Sequence, residues 1–228
     1  MKVCNLFSKL IAERSNVLFG EIIGYDHIKR LFKMVLEAES AIHILLVGPP
    51  ASAKTMFLTS LMQLKNSYFS DGANSTMAGM IDYVLEKRYL LIDEIDKMSS
   101  KDHIFLLNLM ETGIISETKH GKTRSAQIKT SVFATSNNIE RLSAPLRSRF
   151  FIVELEPYTY EQFFEITKQL FSHQKIEREV ANLIASAVWA KSQDIRDCIK
   201  IASMAKAIED VDFLVNMLND GRGANEVL

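Results

Sequence analysis

The sequence is poor in cysteine and has no long apolar run, and both absences narrow what it can be. Its two cysteines, Cys4 and Cys198, lie far apart and without neighbours at metal-ligand spacing, so neither a disulfide framework nor a zinc site is predicted. The apolar stretch at 41–47 falls far short of the roughly 18 residues that a membrane-spanning helix needs. Lys9 and Glu13 break any signal-like apolar segment near the N-terminus. We therefore expect a cytoplasmic protein with no membrane contact.

An excess of charge of one sign is also absent, because the formal net charge is -1 over 228 residues. A basic nucleic-acid coat is therefore not expected, although a local basic patch can still contact phosphates. Hydrophobic residues make up 47% and charged residues 24% of the chain, which is typical of a globular protein with a buried core. The length suits one α/β domain with a small appendage.

Three short apolar runs predict parallel strands whose carboxyl ends meet at one site. Residues 42–47, 89–92 and 131–134 are apolar, and each run is followed at once by glycine or polar residues. In an open parallel sheet, ligands bind beyond the carboxyl ends of the strands. We therefore expect the residues that follow these runs to converge on one ligand.

Apolar residues recur at helical spacing in the segments before and between the three runs. This spacing predicts helices over 26–39, with Asp26 as N-cap, over 55–64 and over 101–110. Residues 113–129 read as two extended arms around a turn near His120.

From Pro157 onward only helices are predicted, over 161–171, 177–191 and 194–207, with a capping box at Thr159. The predicted domains are an α/β nucleotide-binding domain at 1–156, with a hairpin insertion at about 113–130, and a small helical domain at 157–228.

Residues 48–55, GPPASAKT, match the phosphate-binding loop G-x-x-x-x-G-K-[ST] except at Ala53, where the loop usually has glycine. In that loop, backbone N–H groups and the following helix N-terminus face the phosphates, the lysine pairs with the β and γ groups, and the hydroxyl binds magnesium. Lys54 and Thr55 supply these last two groups, so ATP and Mg²⁺ are the expected ligands. A β-carbon on Ala53 is expected to crowd the loop and loosen nucleotide binding. The residues expected to line the nucleotide here are Gly48, Pro49, Pro50, Ala51, Ser52, Ala53, Lys54, Thr55 and Met56.

The acidic run after the second strand supplies the groups that hydrolysis requires. Asp93 is suited to hold magnesium together with Thr55, and Glu94 beside it can polarise the attacking water. Asp96 is interpreted as a helix-starting residue. Asn137, after the third strand, is predicted to hydrogen-bond the γ-phosphate or the water, with a turn-forming Asn-Asn pair as the alternative.

The order of five motifs makes the chain resemble the AAA+ ATPases over about residues 19–207. The motifs are FGEIIG at 19–24, GPPASAKT at 48–55, LLIDEID at 90–96, FATSNN at 133–138 and PLRSRF at 145–150. The resemblance implies a P-loop NTPase core, with a parallel sheet flanked by helices, and a small C-terminal helical lid.

The resemblance also implies roles for single residues. Ile22 and Ile23 flank the adenine, Lys54 and Thr55 serve Walker A, Asp93 and Glu94 serve Walker B, Asn137 serves as sensor 1, Arg149 or Arg147 as the arginine finger, and Arg196 as sensor 2. Because an arginine finger acts on the nucleotide of a neighbouring subunit, it implies a homo-oligomeric ring, with a hexamer expected.

Residues 109–130 resemble the hairpin that precedes sensor 1 in RuvB, the minichromosome maintenance helicases, the magnesium chelatases and the MoxR group. The turn is basic, with Lys119, Lys122 and Arg124, so contact with DNA phosphates is one interpretation and a solvated tip is the other.

The expected function is that of a ring ATPase that moves nucleic acid and resembles RuvB most. Because the chain stops after the lid, without RuvB's winged domain, junction specificity is not expected. The alternatives are a MoxR-like or chelatase-like protein-remodelling ATPase, or a non-catalytic subunit regulated by nucleotide.

Overall fold

The computed structural model describes residues 18–50, 52–119, 122–174, 176–205 and 207–218. The chain divides into two compact units, of which the first ends at Glu156 and the second begins at Pro157. Ala51 and the turn at His120, both singled out in the sequence, lie outside the described residues. Within the described residues, no helix is long and apolar enough to cross a bilayer.

The first unit alternates helices with strands. Its elements are α1 Asp26–Glu37, β1 Ile44–Val47, α2 Lys54–Leu61, β2 Ser67–Asp71, α3 Met77–Val84, β3 Tyr89–Asp93, α4 Ser100–Thr112, β4 Ile114–Lys119, β5 Lys122–Gln127, β6 Ser131–Ser136, α5 Ala144–Arg147 and β7 Phe151–Glu154. Short 3₁₀ turns at Ile95–Lys97 and Ile139–Arg141 follow β3 and β6.

Five of these strands form one parallel sheet in the order β2-β3-β6-β1-β7, while β4 and β5 form a separate antiparallel hairpin. Successive side chains of a strand point to opposite sides of the sheet. All six residues of β6 are buried, so both faces of the sheet are covered there. On one face Phe133 packs against Phe32 of α1 and, through it, Phe57 of α2, with ring centroids 5.4 and 5.2 Å apart. On the other face Leu45, Ile92 and their neighbours pack with residues of α3 and α4; that cluster's fully buried strand members are Leu45, Leu90, Ile92, Val132 and Ala134.

The structure differs from the sequence predictions at three places in this unit. The N-cap of α1 is Tyr25, in the left-handed region and without a side-chain cap, and Asp26 is the first helical residue. The strand β2 and the helix α3 were not predicted from the sequence. The short helix α5 and the strand β7 after it were not predicted, and Phe151 and Ile152 of β7 are exposed at an edge of the sheet.

The second unit is all helical, with α6 Tyr160–Gln174, α7 Arg178–Lys191, α8 Ile195–Met204 and α9 Ile208–Asn216. The predicted capping box is present, because the Thr159 N–H donates to Gln162 Oε1 at 3.0 Å and the Gln162 N–H donates to Thr159 Oγ1 at 3.3 Å. Cys198 is a fully buried core residue, and burial raises the pKa of its thiol to about 12. Such a thiol stays protonated and unreactive at neutral pH.

Candidate functional site

The residues that follow β1, β3 and β6 lie at one edge of the sheet. Val47 pairs with Ser136, and Ile92 pairs with Ala134, so the ends of the three strands lie at the same level. This register places the phosphate-loop residues, the acidic run and the polar end of β6 side by side. The predicted convergence of the three strand ends is present in the structure.

The phosphate loop leads from β1 directly into α2, and its lysine is folded back onto it. Lys54 Nζ donates to the carbonyl oxygens of Gly48 and Pro49 at 2.8 and 2.6 Å, and to Ser52 Oγ at 3.0 Å. The side chain is buried, with only 5% of the residue exposed. A buried ammonium held by neutral oxygens at a helix N-terminus is an arrangement that favours an anion such as a phosphate. The helix has no side-chain cap, so its first N–H groups face the loop.

Ala53 is accommodated without strain. Its φ is -69° and its ψ is 7°, a conformation open to any L-residue, and the β-carbon is packed in the interior with 1% of the residue exposed. The backbone at this position therefore does not need glycine's freedom to adopt positive φ. Crowding of the nucleotide by the Ala53 β-carbon, and the weak nucleotide binding expected from it, stay predictions.

Thr55, Asp93 and Thr135 form a hydrogen-bonded row across α2, β3 and β6. The Thr55 hydroxyl lies 3.0 and 3.2 Å from the two carboxylate oxygens of Asp93, and the Thr135 hydroxyl donates to Asp93 Oδ1 at 2.5 Å. A carboxylate beside a hydroxyl is a set of hard oxygen ligands that suits Mg²⁺. The residues present therefore fit the predicted magnesium site.

Glu94 is fixed at both ends. Its backbone N–H donates to Thr135 Oγ1 at 2.9 Å, and its φ of 52° lies in the left-handed region that non-glycine residues rarely adopt. Its carboxylate accepts from Asn137 Nδ2 at 3.1 Å through Oε1 and pairs with Lys97 Nζ at 2.5 Å through Oε2. The predicted water-polarising carboxylate and the predicted sensor 1 amide are thus in direct contact.

Further residues of this edge were not predicted as site residues. Asp96, interpreted as a helix start, lies inside the 3₁₀ turn after β3, is mostly buried, and accepts the Asn137 backbone N–H at 3.2 Å. The hydrogen bond to Glu94 raises the pKa of Lys97, with the charges of Glu94, Asp96 and Asp71 adding to it. The sequence signal that could have identified Thr135 is its place at the polar carboxyl end of the third predicted strand, two residues before Asn137.

The end of β2 also packs against the acidic run. Gly72 N–H donates to the Asp93 carbonyl at 2.8 Å, and a β-carbon at Gly72 would lie 2.5 Å from the Glu94 carbonyl oxygen. Any side chain there would push the backbone of Glu94. Beside it, hydrogen bonds from the Ala73 N–H and the Asn74 amide, together with the Lys97 charge, hold the pKa of Asp71 below its usual value.

The segment predicted to flank the adenine contains two successive left-handed residues. Ile22 is buried with 2% exposed, and Ile23 is half-buried. Gly24 and Tyr25 have φ values of 72° and 54°. The Tyr25 hydroxyl donates to the Glu156 carbonyl at 2.6 Å, and burial raises the pKa of Tyr25 to about 12.

The two candidate arginine fingers lie apart from this hydrogen-bonded edge and pair with glutamates. Arg149 Nη2 lies 2.8 Å from Glu111 Oε1 at the end of α4, and Arg147 Nη1 lies 3.1 Å from Glu140 Oε1. Both arginine side chains keep about a third of their surface exposed, 36% and 31% respectively. The structure therefore brings neither arginine to Glu94.

Arg196 is at the start of α8 in the second unit. Its guanidinium donates to Asp194, the N-cap of the same helix, with Nη2 at 2.7 Å from Oδ2.

The predicted hairpin is present as β4 and β5, with Glu117 opposite Arg124 and Lys119 opposite Lys122 in the backbone register.

Comparison with known proteins agrees with this geometry. Residues 86–149 match the family model of the MCM P-loop domain. The structure superposes on a mutant form of Thermotoga maritima RuvB with a TM-score of 0.68 and 25% identity, covering 89% of this chain and 74% of that one. The chain has the α/β fold of an AAA+ P-loop domain. The AAA+ resemblance and the α/β fold predicted from the sequence are therefore confirmed.

Two curated relatives of the chain are named as DNA replication licensing factors. The zygotic DNA replication licensing factor mcm6-A of Xenopus laevis is 28% identical over 210 residues, which is 72% of this chain and 26% of that protein. The DNA replication licensing factor Mcm6 of Drosophila melanogaster is 27% identical over 223 residues, covering 77% of this chain and 27% of that protein. The chain spans about a quarter of the length of these relatives.

Proposed function

We propose that this chain is a Mg²⁺-dependent ATPase subunit of a ring that moves nucleic acid. The observation that carries the proposal is a pair of contacts at the sheet edge. Thr55 contacts Asp93, and Glu94 contacts Asn137. An anion-binding loop, a set of magnesium ligands and a carboxylate base within one row are the parts that phosphoryl transfer to water requires. A binding-only subunit would not need the base, so the presence of Glu94 favours hydrolysis.

Each residue has a defined task in this proposal. Lys54 exchanges its loop carbonyl partners for the β- and γ-phosphate oxygens, and the N–H groups at the start of α2 bind the same phosphates. Thr55 and Asp93 are the residues that hold Mg²⁺, which when bound neutralises charge on the phosphates. Glu94 orients and deprotonates the attacking water, and Asn137 fixes the position of the Glu94 carboxylate. Ile22 and Ile23 contact the adenine from the segment before α1.

A neighbouring copy supplies the remaining positive charge. Arg149 is the proposed finger, because it lies on the exposed loop before β7 and its pairing with Glu111 is half exposed and easily exchanged. Arg147 remains the second candidate. Arg196 is proposed to act on the nucleotide of its own subunit, and a hexameric ring of copies is the proposed assembly. Because the matched relatives are named as replication factors, we place the protein in the compartment that holds DNA, which is the cytoplasm only in a cell without a nucleus.

The nucleic-acid contact is assigned to the β4-β5 hairpin, which carries Lys119, Lys122 and Arg124. The MCM P-loop match ends at Arg149 and includes this hairpin, which favours nucleic acid over a protein client. Phosphate contacts of this kind are independent of sequence and weaken as salt rises.

An ATPase assay with and without DNA tests the proposal, accompanied by gel filtration with and without ATP. We expect turnover that depends on Mg²⁺, rises with single-stranded or duplex DNA, and loses that rise in Lys122→Ala but not in Lys65→Ala, an exposed lysine away from the hairpin. Turnover that DNA never changes, together with no DNA binding at low salt, would replace the nucleic-acid motor with a MoxR-like or chelatase-like remodelling ATPase. Absence of turnover in an assembled ring would leave a nucleotide-regulated subunit.

A further inference from the structure

A buried threonine on β6 contacts both acidic residues of the proposed ATPase site. We propose that Thr135 is a positioning residue that sets the Asp93 carboxylate for Mg²⁺ and the Glu94 backbone for water activation. The proposal rests on the proposed ATPase function. Thr135 is only 1% exposed, so it acts through these two residues and not by touching the nucleotide.

The hydroxyl of Thr135 has one arrangement that satisfies both contacts. It has a single proton and two lone pairs. The Glu94 N–H, 2.9 Å away, can only donate, so it occupies a lone pair, and the proton is directed to Asp93 Oδ1 at 2.5 Å. The hydroxyl therefore links the metal-binding carboxylate to the backbone of the base. A hydrogen bond to a charged carboxylate is among the stronger ones in proteins.

Both contacts restrain groups that would otherwise be free to move. The Thr55 hydroxyl also contacts Asp93, but this hydroxyl is itself a proposed magnesium ligand. When Thr55 turns to the metal, Thr135 is the hydroxyl that continues to hold Asp93. Glu94 has a φ of 52°, a conformation that non-glycine residues rarely adopt and that persists only where neighbours enforce it.

Two residues at the end of β6 hold Glu94 at two points. Thr135 lies within β6, and Asn137 is the first residue after it. Thr135 contacts the Glu94 backbone and Asn137 contacts its carboxylate, so the two side chains fix the start and the tip of one residue.

Three variants test the role of Thr135. Thr135→Val removes the hydroxyl and keeps the shape, and Thr135→Ser restores the hydroxyl. Thr130→Val is the matched control, because Thr130 is a buried threonine beside the start of β6 whose hydroxyl donates to the Lys87 carbonyl, away from the site. For each protein, kcat is measured, together with the affinity for a fluorescent ATP analogue in Mg²⁺ and in EDTA.

We expect Thr135→Val to lower kcat by about 10-fold to 100-fold, as small displacements of catalytic groups do. The factor by which Mg²⁺ tightens nucleotide binding should fall about fivefold or more, while affinity in EDTA stays within about twofold. Thr135→Ser and Thr130→Val should keep all three values within about threefold of the native chain.

Two results would overturn the proposal. One is a Thr135→Val protein with native kcat and a native Mg²⁺ factor. The other is an equal loss in Thr130→Val, because that would reflect the removal of any buried hydroxyl near β6. If the native chain binds the analogue without hydrolysing ATP, the proposed function fails, and the Mg²⁺ factor alone decides the role of Thr135.

Discussion

The sheet edge that ends β1, β3 and β6 holds its charged groups differently from residues 147–150, which run from the end of α5 to β7 and are called the arginine loop below. At the sheet edge, Lys54 is buried and Asp93 contacts two hydroxyls from different elements. In the arginine loop, Arg149 and Arg147 are partly exposed and each pairs with one glutamate on the surface. The groups of the first region are held by buried contacts within the chain, whereas the ion pairs of the second are partly exposed, as the proposed exchange of the glutamates for a neighbour's nucleotide requires.

This difference predicts two kinds of defect. A change at the sheet edge should affect one subunit's own nucleotide. A change in the arginine loop should be rescued by a neighbour that still has the arginine, because exposed ion pairs of this kind contribute little stability to the chain itself.

The largest effect is expected for Arg149→Ala. Arginine fingers contribute about 10³-fold to 10⁵-fold to turnover in other NTPases, so loss of about 10³-fold is expected here. Turnover should recover in part on mixing with Lys54→Ala, since each variant then supplies the group that the other lacks across an interface. Arg147→Ala in the same assay decides between the two arginines. Failure to recover at any mixing ratio would contradict a shared site.

Glu94→Gln should come next. The amide keeps the shape but cannot accept the proton of water, so turnover should drop by about 10²-fold or more while ATP still binds. Gel filtration in ATP should show larger assemblies accumulating. Glu86→Gln, an exposed glutamate after α3, is the control and should behave as the native chain. Native turnover in Glu94→Gln would remove this carboxylate from the mechanism.

His43 is a buried histidine that packs against Phe150, next to Arg149. Its Nδ1 accepts the Val132 N–H at 3.1 Å, which requires the neutral ring, and its ring packs edge-on against Phe150 with centroids 6.4 Å apart. Burial lowers the pKa of His43 to about 4 from 6.5. The unfolded chain therefore binds a proton more readily between these values, and stability is lost as pH falls from 6.5 towards 4.

The free energy of unfolding should decrease by up to about 3 kcal/mol over that range because of His43. Denaturant titrations at several pH values give the slope of the free energy of unfolding against pH. His43→Gln should flatten it, and His27→Gln, on the exposed side of α1, should not. An unchanged slope in His43→Gln would show that other groups control the acid response.

The smallest effect is expected for Glu111→Gln. Removing the charge that holds Arg149 releases at most about 1 kcal/mol, because the pair is half exposed. The protein concentration that gives half-maximal ATPase activity should fall by up to about fivefold, as the freed arginine is available to a neighbour. Glu140→Gln offers the same comparison for Arg147. A higher concentration requirement in Glu111→Gln would mean that this glutamate helps to present the arginine.

Much of the sheet edge was predictable because its motifs follow apolar strands. The phosphate loop, the acidic run and Asn137 each come directly after a buried run, and the rule that parallel strands end at one edge placed them together. The register that brings Asn137 onto Glu94 was not predictable, since it depends on pairing between residues 43 positions apart.

The two strands that escaped prediction have few buried side chains. β2 has one buried residue among five, and β7 has none, because each forms an edge of the sheet. Such strands lack the continuous apolar run by which buried parallel strands are identified. Pairing of Arg149 with Glu111 likewise escaped prediction, because nothing in the order of the residues brings the end of α4 to the loop before β7.

The first residue of the phosphate loop has a consequence for the last residues of the first unit. A β-carbon at Gly48 would lie 2.6 Å from the Leu155 carbonyl oxygen, and the Leu155 N–H donates to the Val47 carbonyl at 2.7 Å. The Tyr25 hydroxyl holds the next residue, Glu156, from the other side. The phosphate loop and the segment before α1 therefore both contact the last two residues of the first unit, Leu155 and Glu156. A side chain at position 48 would displace the Leu155 peptide group as well as the phosphate loop.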